Sequence, residues 1–409
     1  MINKWMSRIA KERPVGTTIN NRILEQLEGL FQKMAYEVKS LPFPCFTWHK
    51  SHSFIVVDGK KYPVMPSPFS RFYRDEAEWG TAGSLKELKS LDCRKKIVFL
   101  HSQLTKASLQ PKDYPFYYPN EHKELIDALE DSGVAAIVAV TGEHPIYGLK
   151  PFYLFEDGNF KVPSAYISYE EWKKMKPVFK SNSLKLVIDS HIEQVRSRQL
   201  IAQKEAKNAK GNILVCAHMD SKYETPGALD NAAGLVMMMQ TMELLKKENL
   251  NYAIDFVPFN SEEYYEATGE LIYLNDCKRK NKEFALVINI DSVGHVGSGI
   301  ALSTCNMDSR FAAILEKLCD DHPMVAKGQE WGPCHLCVQG CSKSSSDLSG
   351  FLFGGLKEDT YSKRYKRYGR LRDACARRKV HREVVAGTLG QLANTERRGT
   401  VVQFCCFAT

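Results

Sequence analysis

The sequence predicts an α/β protein: a mostly parallel central sheet with helices on both faces, plus a smaller inserted α/β domain. Three features predict it. From about residue 184 strand-like and helix-like runs alternate, as they do in sheets built from strand–helix–strand units. The strand-like runs there, such as "NILVCA" and "FALVINI", are apolar throughout, the mark of strands buried on both faces. Between residues 60 and 183 the texture changes to short strands and aromatic, Pro-rich loops, which sets that block apart as an insert.

The elements follow in order. Residues 1–59 form the N-terminal part of the main domain, and "TINNRILEQLEGLFQKMAYEV" (18–38) places Ile23, Leu24, Leu27, Leu30, Phe31 and Met34 at helical spacing, with Thr17 or Thr18 as the cap. In the insert, "KKIVFLHS", "AAIVAVT" and "VPSAYIS" read as strands. "HKELIDALEDSG" reads as a helix ending at Gly133. In the segment 184–356, "NILVCA", "YAIDFVPFN" and "FALVINI" are strands. The helices between them are "NAAGLVMMMQTMELLKKEN", with its stripe of Leu235, Val236, Met239, Met242 and Leu245, and "EATGELIYLNDCKRK". Residues 357–409 stand apart by composition.

With 409 residues and 44% hydrophobic content the chain can bury a full core. The opening "MINKWMSRIAKERP" is too polar for a signal-peptide core, and no apolar run approaches the roughly 20 residues of a membrane helix. The expectation is a soluble, cytoplasmic protein with no membrane partner, its twelve cysteines reduced. The net charge of +8 does not point to nucleic acid. Residues 357–409 hold 13 Lys+Arg against 5 Asp+Glu, so the first 356 residues are neutral and the whole surplus lies in one tail.

The chemistry gathers at strand ends. "NILVCA" runs into His218-Met219-Asp220, "YAIDFVPFN" into Ser261-Glu262-Glu263 and "FALVINI" into Asp291. Asp230 lies in the loop after the first of these strands. Sites in open α/β sheets form beyond the carboxyl ends of the strands, so the three ends meet at one edge. Taken singly, each residue has an ordinary reading: a carboxylate after a strand is usually solvated, and Asp230 could simply cap the helix starting at Asn231. Three consecutive strand ends carrying ligand-type residues are harder to explain that way. One His with carboxylates suits zinc, with cobalt or manganese as alternatives.

The ordered motifs "HMD", "PGALDNAAG", "NSEE" and "INID" resemble the co-catalytic zinc aminopeptidases, a group that includes glutamate carboxypeptidase and glutaminyl cyclase. The resemblance covers roughly residues 15–356. It implies two zinc ions, with His218 and Asp291 on one, Glu263 on the other and Asp230 bridging them. It further implies Glu262 as general base toward a metal-activated water and Asp220 as support for His218. The substrate implied is a peptide with a free N-terminus. The insert resembles a protease-associated domain, which in such enzymes flanks the active-site cleft.

The resemblance breaks late in the chain. The family carries a His-Thr-x-x-Asp-Thr run that supplies a fifth ligand, and an Asp-His-x-x-Phe run shortly before it; this sequence has neither. "WGPCHLCVQGCSKSSSD" and "LKEDTYSKRYKRYG" stand in their places. Reading each codon from its second base, residues 332–343 permit Asp-His-Ala-Ile-Phe-Val-Phe-Lys-Gly-Val-Pro-Ser. Residues 359–365 then permit Ile-His-Thr, a variable pair and Asp-Thr. A frameshift over about 332–345, and again from between 349 and 359 onward, explains both losses, the tail's charge and six of the twelve cysteines. The simpler alternative is a genuine basic tail. As written, the second metal position is incomplete, and His381 sits in no matching motif. Other functions of the same fold remain open: a carboxypeptidase, a glutaminyl cyclase, or a binding module that lost its chemistry. Peptides with free, acetylated or Gln N-termini separate them.

Overall fold

A computed structural model describes residues 2–143, 150–295, 298–305, 309–322, 325–330 and 400–408. The chain opens with α1 (Ile2–Ile9), α2 (Thr18–Lys33) and β1 (Glu37–Lys50). Next come β2 (Ser53–Val57), β3 (Lys60–Pro66), β4 (Tyr73–Ala82), α3 (Leu85–Ser90), β5 (Ile97–Leu100), α4 (Asn120–Asp131), β6 (Ala136–Thr141), β7 (Ser164–Ser168), α5 (Tyr169–Met175) and β8 (Ser183–Ile188). The remainder is β9 (Ser190–Lys204), β10 (Asn212–His218), α6 (Gly234–Leu245), β11 (Ala253–Phe259), α7 (Thr268–Arg279), β12 (Phe284–Ile290), β13 (Ser298–Cys305), α8 (Ser309–Asp321), β14 (Val325–Glu330) and β15 (Thr400–Ala408).

Two compact units emerge. One takes the chain up to Cys45 and again from Arg196; the other is Phe46–Val195. The second unit is wider than the 60–183 read from the sequence: β2, and β8 beyond Ser183, lie outside that block yet pair within the barrel it forms. That barrel is closed, in the order β2-β3-β7-β6-β5-β4-β8. Strands β5, β6 and β7 come from the apolar runs and pair in parallel. β4, "YRDEAEWGTA", is too polar to stand out as a strand, and only its pairing with β5 and β8 defines it. Inside this unit Phe99 stacks on Trp172, with ring centres 4.6 Å apart, and Leu125, Ile126 and Leu129 of α4 pack against a second apolar cluster.

The first unit holds an eight-stranded mixed sheet in the order β1-β9-β11-β10-β12-β15-β13-β14. β10 pairs in parallel with β11 on one side and β12 on the other, while β9 joins β11 antiparallel and β13 joins β15 antiparallel. Helices cover both faces for a reason visible in β10. Ile213, Val215 and Ala217 point into the cluster containing Leu235, Met238 and Met242 of α6. Leu214 and Cys216 point the other way, toward Tyr273 and Cys277 of α7. α2 starts where Thr17 accepts the Asn20 N–H at 3.3 Å, a cap of the expected kind. No helix among the described residues is long and apolar enough to cross a membrane. Cys334, His335, Cys337 and Cys341 of the run "WGPCHLCVQGCSKSSSD", together with His381, lie outside the described residues.

Candidate metal centre

β10 is the central strand of the site, and its neighbours bring the other loops to its carboxyl end. His218 aligns with Phe259 of β11, so Glu262 and Glu263 begin three residues beyond that level. Cys216 aligns with Asn289 of β12, which carries Asp291 to the height of His218. Parallel register therefore does what the strand-end pattern anticipated.

The distances define a cluster. His218 Nε2 lies 2.8 Å from Asp230 Oδ1 and 3.7 Å from Asp291 Oδ1. Donor atoms of His218, Asp230 and Glu263 all fall within 4.8 Å of one another. Lys222 Nζ approaches Glu263 Oε2 at 3.4 Å. Asp220, almost wholly buried, accepts the backbone N–H of Glu262 at 3.2 Å and of Glu263 at 3.0 Å. Its Oδ1 is 3.6 Å from His218 Nδ1, too far for a hydrogen bond, and that buried nitrogen has no hydrogen-bond partner among the described residues. Asp220 thus ties the β11 loop to the β10 loop as well as facing the His218 ring.

Asp230 is not the helix cap that its position suggests. Its φ/ψ (−111°, 94°) and those of Asn231 (−133°, 38°) are non-helical, the peptide bond between them is cis, and the regular helix begins at Gly234. Asn231 takes over the local bonding. Its Oδ1 accepts from Gly234 N (3.0 Å) and Ser292 N (3.3 Å), and its Nδ2 donates to Ile290 O (2.8 Å). One buried amide therefore joins the Asp230 loop to the end of β12, beside Asp291. Gly234 leaves room for it: a Cβ there would stand 2.1 Å from Asn231 Oδ1.

Crowding of like charges sets the electrostatics. Burial raises the Glu262 pKa well above the ordinary carboxyl value; the His218 charge opposes this, and Glu263, Asp291 and Asp220 add to it. Glu263 is raised by burial as well, opposed by Lys222 and His218. Burial would lower His218, but Glu262 and the carboxylates of Asp220, Asp230 and Asp291 raise it well above the usual imidazole value. Asp291 goes the other way: burial would raise it, yet His218 and Ser292 hold it below the usual range. Five carboxylates gathered around one buried imidazole, with Asp230 itself exposed, form a cation-seeking set, and one nitrogen with several oxygens fits a borderline dication such as zinc. The residues present fit a metal.

A model of peptidase family M28 matches residues 199–358, the stretch that carries every residue of this cluster. That segment is similar to peptidase family M28. Leucine aminopeptidase 2 of Trichophyton rubrum is 27% identical over 136 residues, which is 32% of this chain and 27% of that protein. Aminopeptidase Y of Saccharomyces cerevisiae is 21% identical over 299 residues, 68% of this chain and 52% of the relative. The chain thus spans well under two thirds of the length of these curated relatives. Among solved structures, BSAP, a zinc aminopeptidase from Bacillus subtilis, superposes with a TM-score of 0.59 at 18% identity, over 80% of this chain and 78% of that one. That likeness shows a shared fold. The segment spans His218, Asp220, Asp230, Glu262, Glu263 and Asp291. Asn231, Lys222 and Asn260 also lie there but stood out by no ligand-type pattern, and Arg13 lies outside the segment altogether.

Proposed function

We propose that the chain is a metal-dependent aminopeptidase, built to release N-terminal residues from peptides. The observation that carries this reading is the gathering of His218, Asp230 and Glu263 donor atoms within 4.8 Å, with Asp291 Oδ1 3.7 Å from His218 Nε2. The M28 match and the aminopeptidase names of the relatives support it. In this reading His218, Asp230 and Asp291 hold one zinc ion, and Asp230 and Glu263 reach toward a second. Bound zinc supplies Lewis acidity for the scissile carbonyl and lowers the pKa of water.

The chain's own residues do the rest. Glu262, raised in pKa by its buried, anionic surroundings, accepts a proton from the attacking water. Oxygen bonds to the carbonyl carbon, the C–N bond breaks, and Glu262 returns the proton to the leaving amine. Asp220 holds Glu262 and Glu263 in place through their backbone N–H groups.

The test is metal analysis of the purified chain alongside hydrolysis of a leucyl anilide, with its N-acetylated form as control. The second position lacks a late His-Thr ligand in the sequence as written, so the expected result is zinc-dependent hydrolysis that is slow and confined to the free amine. Absence of both metal and hydrolysis would sink the aminopeptidase reading. Brisk turnover would show the second position to be complete.

A further inference from the structure

We propose that Arg13 and Asn20 form a positioning clamp for the metal centre, Arg13 setting the loop that carries Asp220 and Asp230, and Asn20 setting the turn that carries Glu262 and Glu263. The inference rests on the metallopeptidase reading and deepens it, since neither residue is a ligand and both lie outside the M28 segment.

Arg13 has no exposed surface. Its Nε donates to Met219 O at 2.5 Å, Nη1 to Pro226 O at 2.7 Å and Lys11 O at 3.1 Å, and Nη2 to Gly227 O at 3.1 Å. Its backbone N–H donates to Ser221 Oγ at 3.0 Å. One side chain therefore grips both ends of the loop from Met219 to Gly227, one residue after His218 and three before Asp230. Gly227 admits this approach: its φ is +50°, and a Cβ there would come within 2.9 Å of Arg13 Nη1.

Burying a guanidinium is unfavourable unless its hydrogens are satisfied and its charge is offset. Carbonyl oxygens meet the first need. The carboxylates of Asp220, Asp230 and Glu263 meet the second. Burial lowers the Arg13 pKa to about 10 against the pull of those three carboxylates, so the side chain stays cationic at neutral pH. The planar fork is what spans four separate carbonyls, and a lysine ammonium, a single point of donation, does not replace it.

Asn20 extends the grip to the second loop. Its Nδ2 donates to Arg13 O (3.1 Å) and to Asn260 Oδ1 (2.8 Å). Asn260 is fixed in turn by Ser197 Oγ at 2.9 Å and by Gln199 Oε1, which accepts the Asn260 N–H at 3.0 Å. Asn260 stands directly before Ser261-Glu262-Glu263. A single short stretch of chain thus fixes loops from β10 and β11 relative to each other, and ligand sets hold a metal tightly only when such support is rigid.

The experiment uses the full chain with Arg13→Ala, Arg13→Lys and Asn20→Ala. Zinc affinity is read by competition with a chromophoric chelator, ligand geometry by the visible absorption of the cobalt-loaded forms, and folding by near-UV circular dichroism. The expected result for Arg13→Ala is a 10–100-fold loss of zinc affinity with shifted cobalt bands. Added guanidinium is expected to restore part of that affinity, whereas Arg13→Lys restores none. A folded Arg13→Ala chain with wild-type affinity and cobalt bands overturns the clamp. Wild-type protein that takes up no metal overturns the metallopeptidase reading instead. If Arg13→Ala does not fold, Asn20→Ala decides: weakened zinc binding supports the clamp and unchanged binding overturns it.

Discussion

In the proposed mechanism Glu262 is the residue on which the chemistry turns. Glu262→Gln keeps the shape and loses the base, so turnover is expected to fall by about 10²–10⁴-fold while zinc content is retained. Steady-state kinetics with metal analysis on the same sample checks this. The shifted pKa values of the cluster give a second expectation. Glu262, Glu263 and His218 are all raised in the folded, metal-free protein, above ordinary values of 4.5, 4.5 and 6.5. A group raised on folding stabilises fully below its unfolded pKa and loses that contribution as pH rises through the folded value. The metal-free protein should therefore lose stability as pH rises above the ordinary carboxyl and imidazole values and through the raised folded ones, and zinc, which replaces the protons, should restore it. Thermal unfolding in chelator and in zinc measures the difference. Asp157 in the barrel unit, raised by burial to about 6, slopes in the same direction at lower pH. Asp157→Asn is the background in which to isolate the metal cluster.

At the scale of elements, tight crossings hold the loops where the site needs them. Gly269, in the first turn of α7, donates its N–H to Ser261 Oγ at 2.5 Å, and a Cβ there would lie 1.9 Å from Asn260 O. The obstacle is backbone, so it cannot swing aside. Gly269→Ala is expected to destabilise the first unit by about 3 kcal/mol or more and to weaken metal binding through the displaced Glu262–Glu263 turn. Denaturant titration with and without zinc tests both effects. At the other end of β11, Asp255 is buried and fully engaged: Lys282 Nζ reaches both carboxylate oxygens at 2.7 Å, with Tyr273 and Gln203 also donating. Lys282→Met leaves that charge without its counter-ion and should cost about 3–5 kcal/mol, with zinc affinity unchanged because the site is at the opposite strand end.

At the scale of the whole molecule, β15 is the element that composition would not have placed. It comes from the stretch set apart as a basic tail, yet it lies between β12 and β13. Deleting residues 400–408 leaves two strand edges facing one another unpaired, and the expected outcome is loss of cooperative unfolding in the first unit. An unchanged transition would remove β15 from the sheet. The frameshift reading concerns the chain as a whole as well, and sequencing the encoding DNA across codons 325–365 decides it. A missing or extra base predicts a protein without the arginine-rich tail and with the late His-Thr ligand in place. An intact frame makes the incomplete second position a property of the protein.

By itself the sequence determined the alternation of strands and helices in the first unit and the placing of ligand-type residues at three consecutive strand ends. Apolar runs such as "NILVCA" and "FALVINI" have few alternatives once buried on both faces, and ligand-type residues at three consecutive strand ends follow from parallel pairing. Only the tertiary structure decided how those residues are supported. Asp220 binds backbone N–H groups of another loop, Asn231 replaces Asp230 as the helix-start partner, and Arg13 closes on carbonyls more than two hundred residues away. The barrel also needed the structure, because polar, half-exposed strands like β4 carry no apolar run and are defined by their neighbours. Periodicity records which face of an element is buried. Hydrogen bonds between distant loops leave no periodic trace, so they become visible only when the chain is folded.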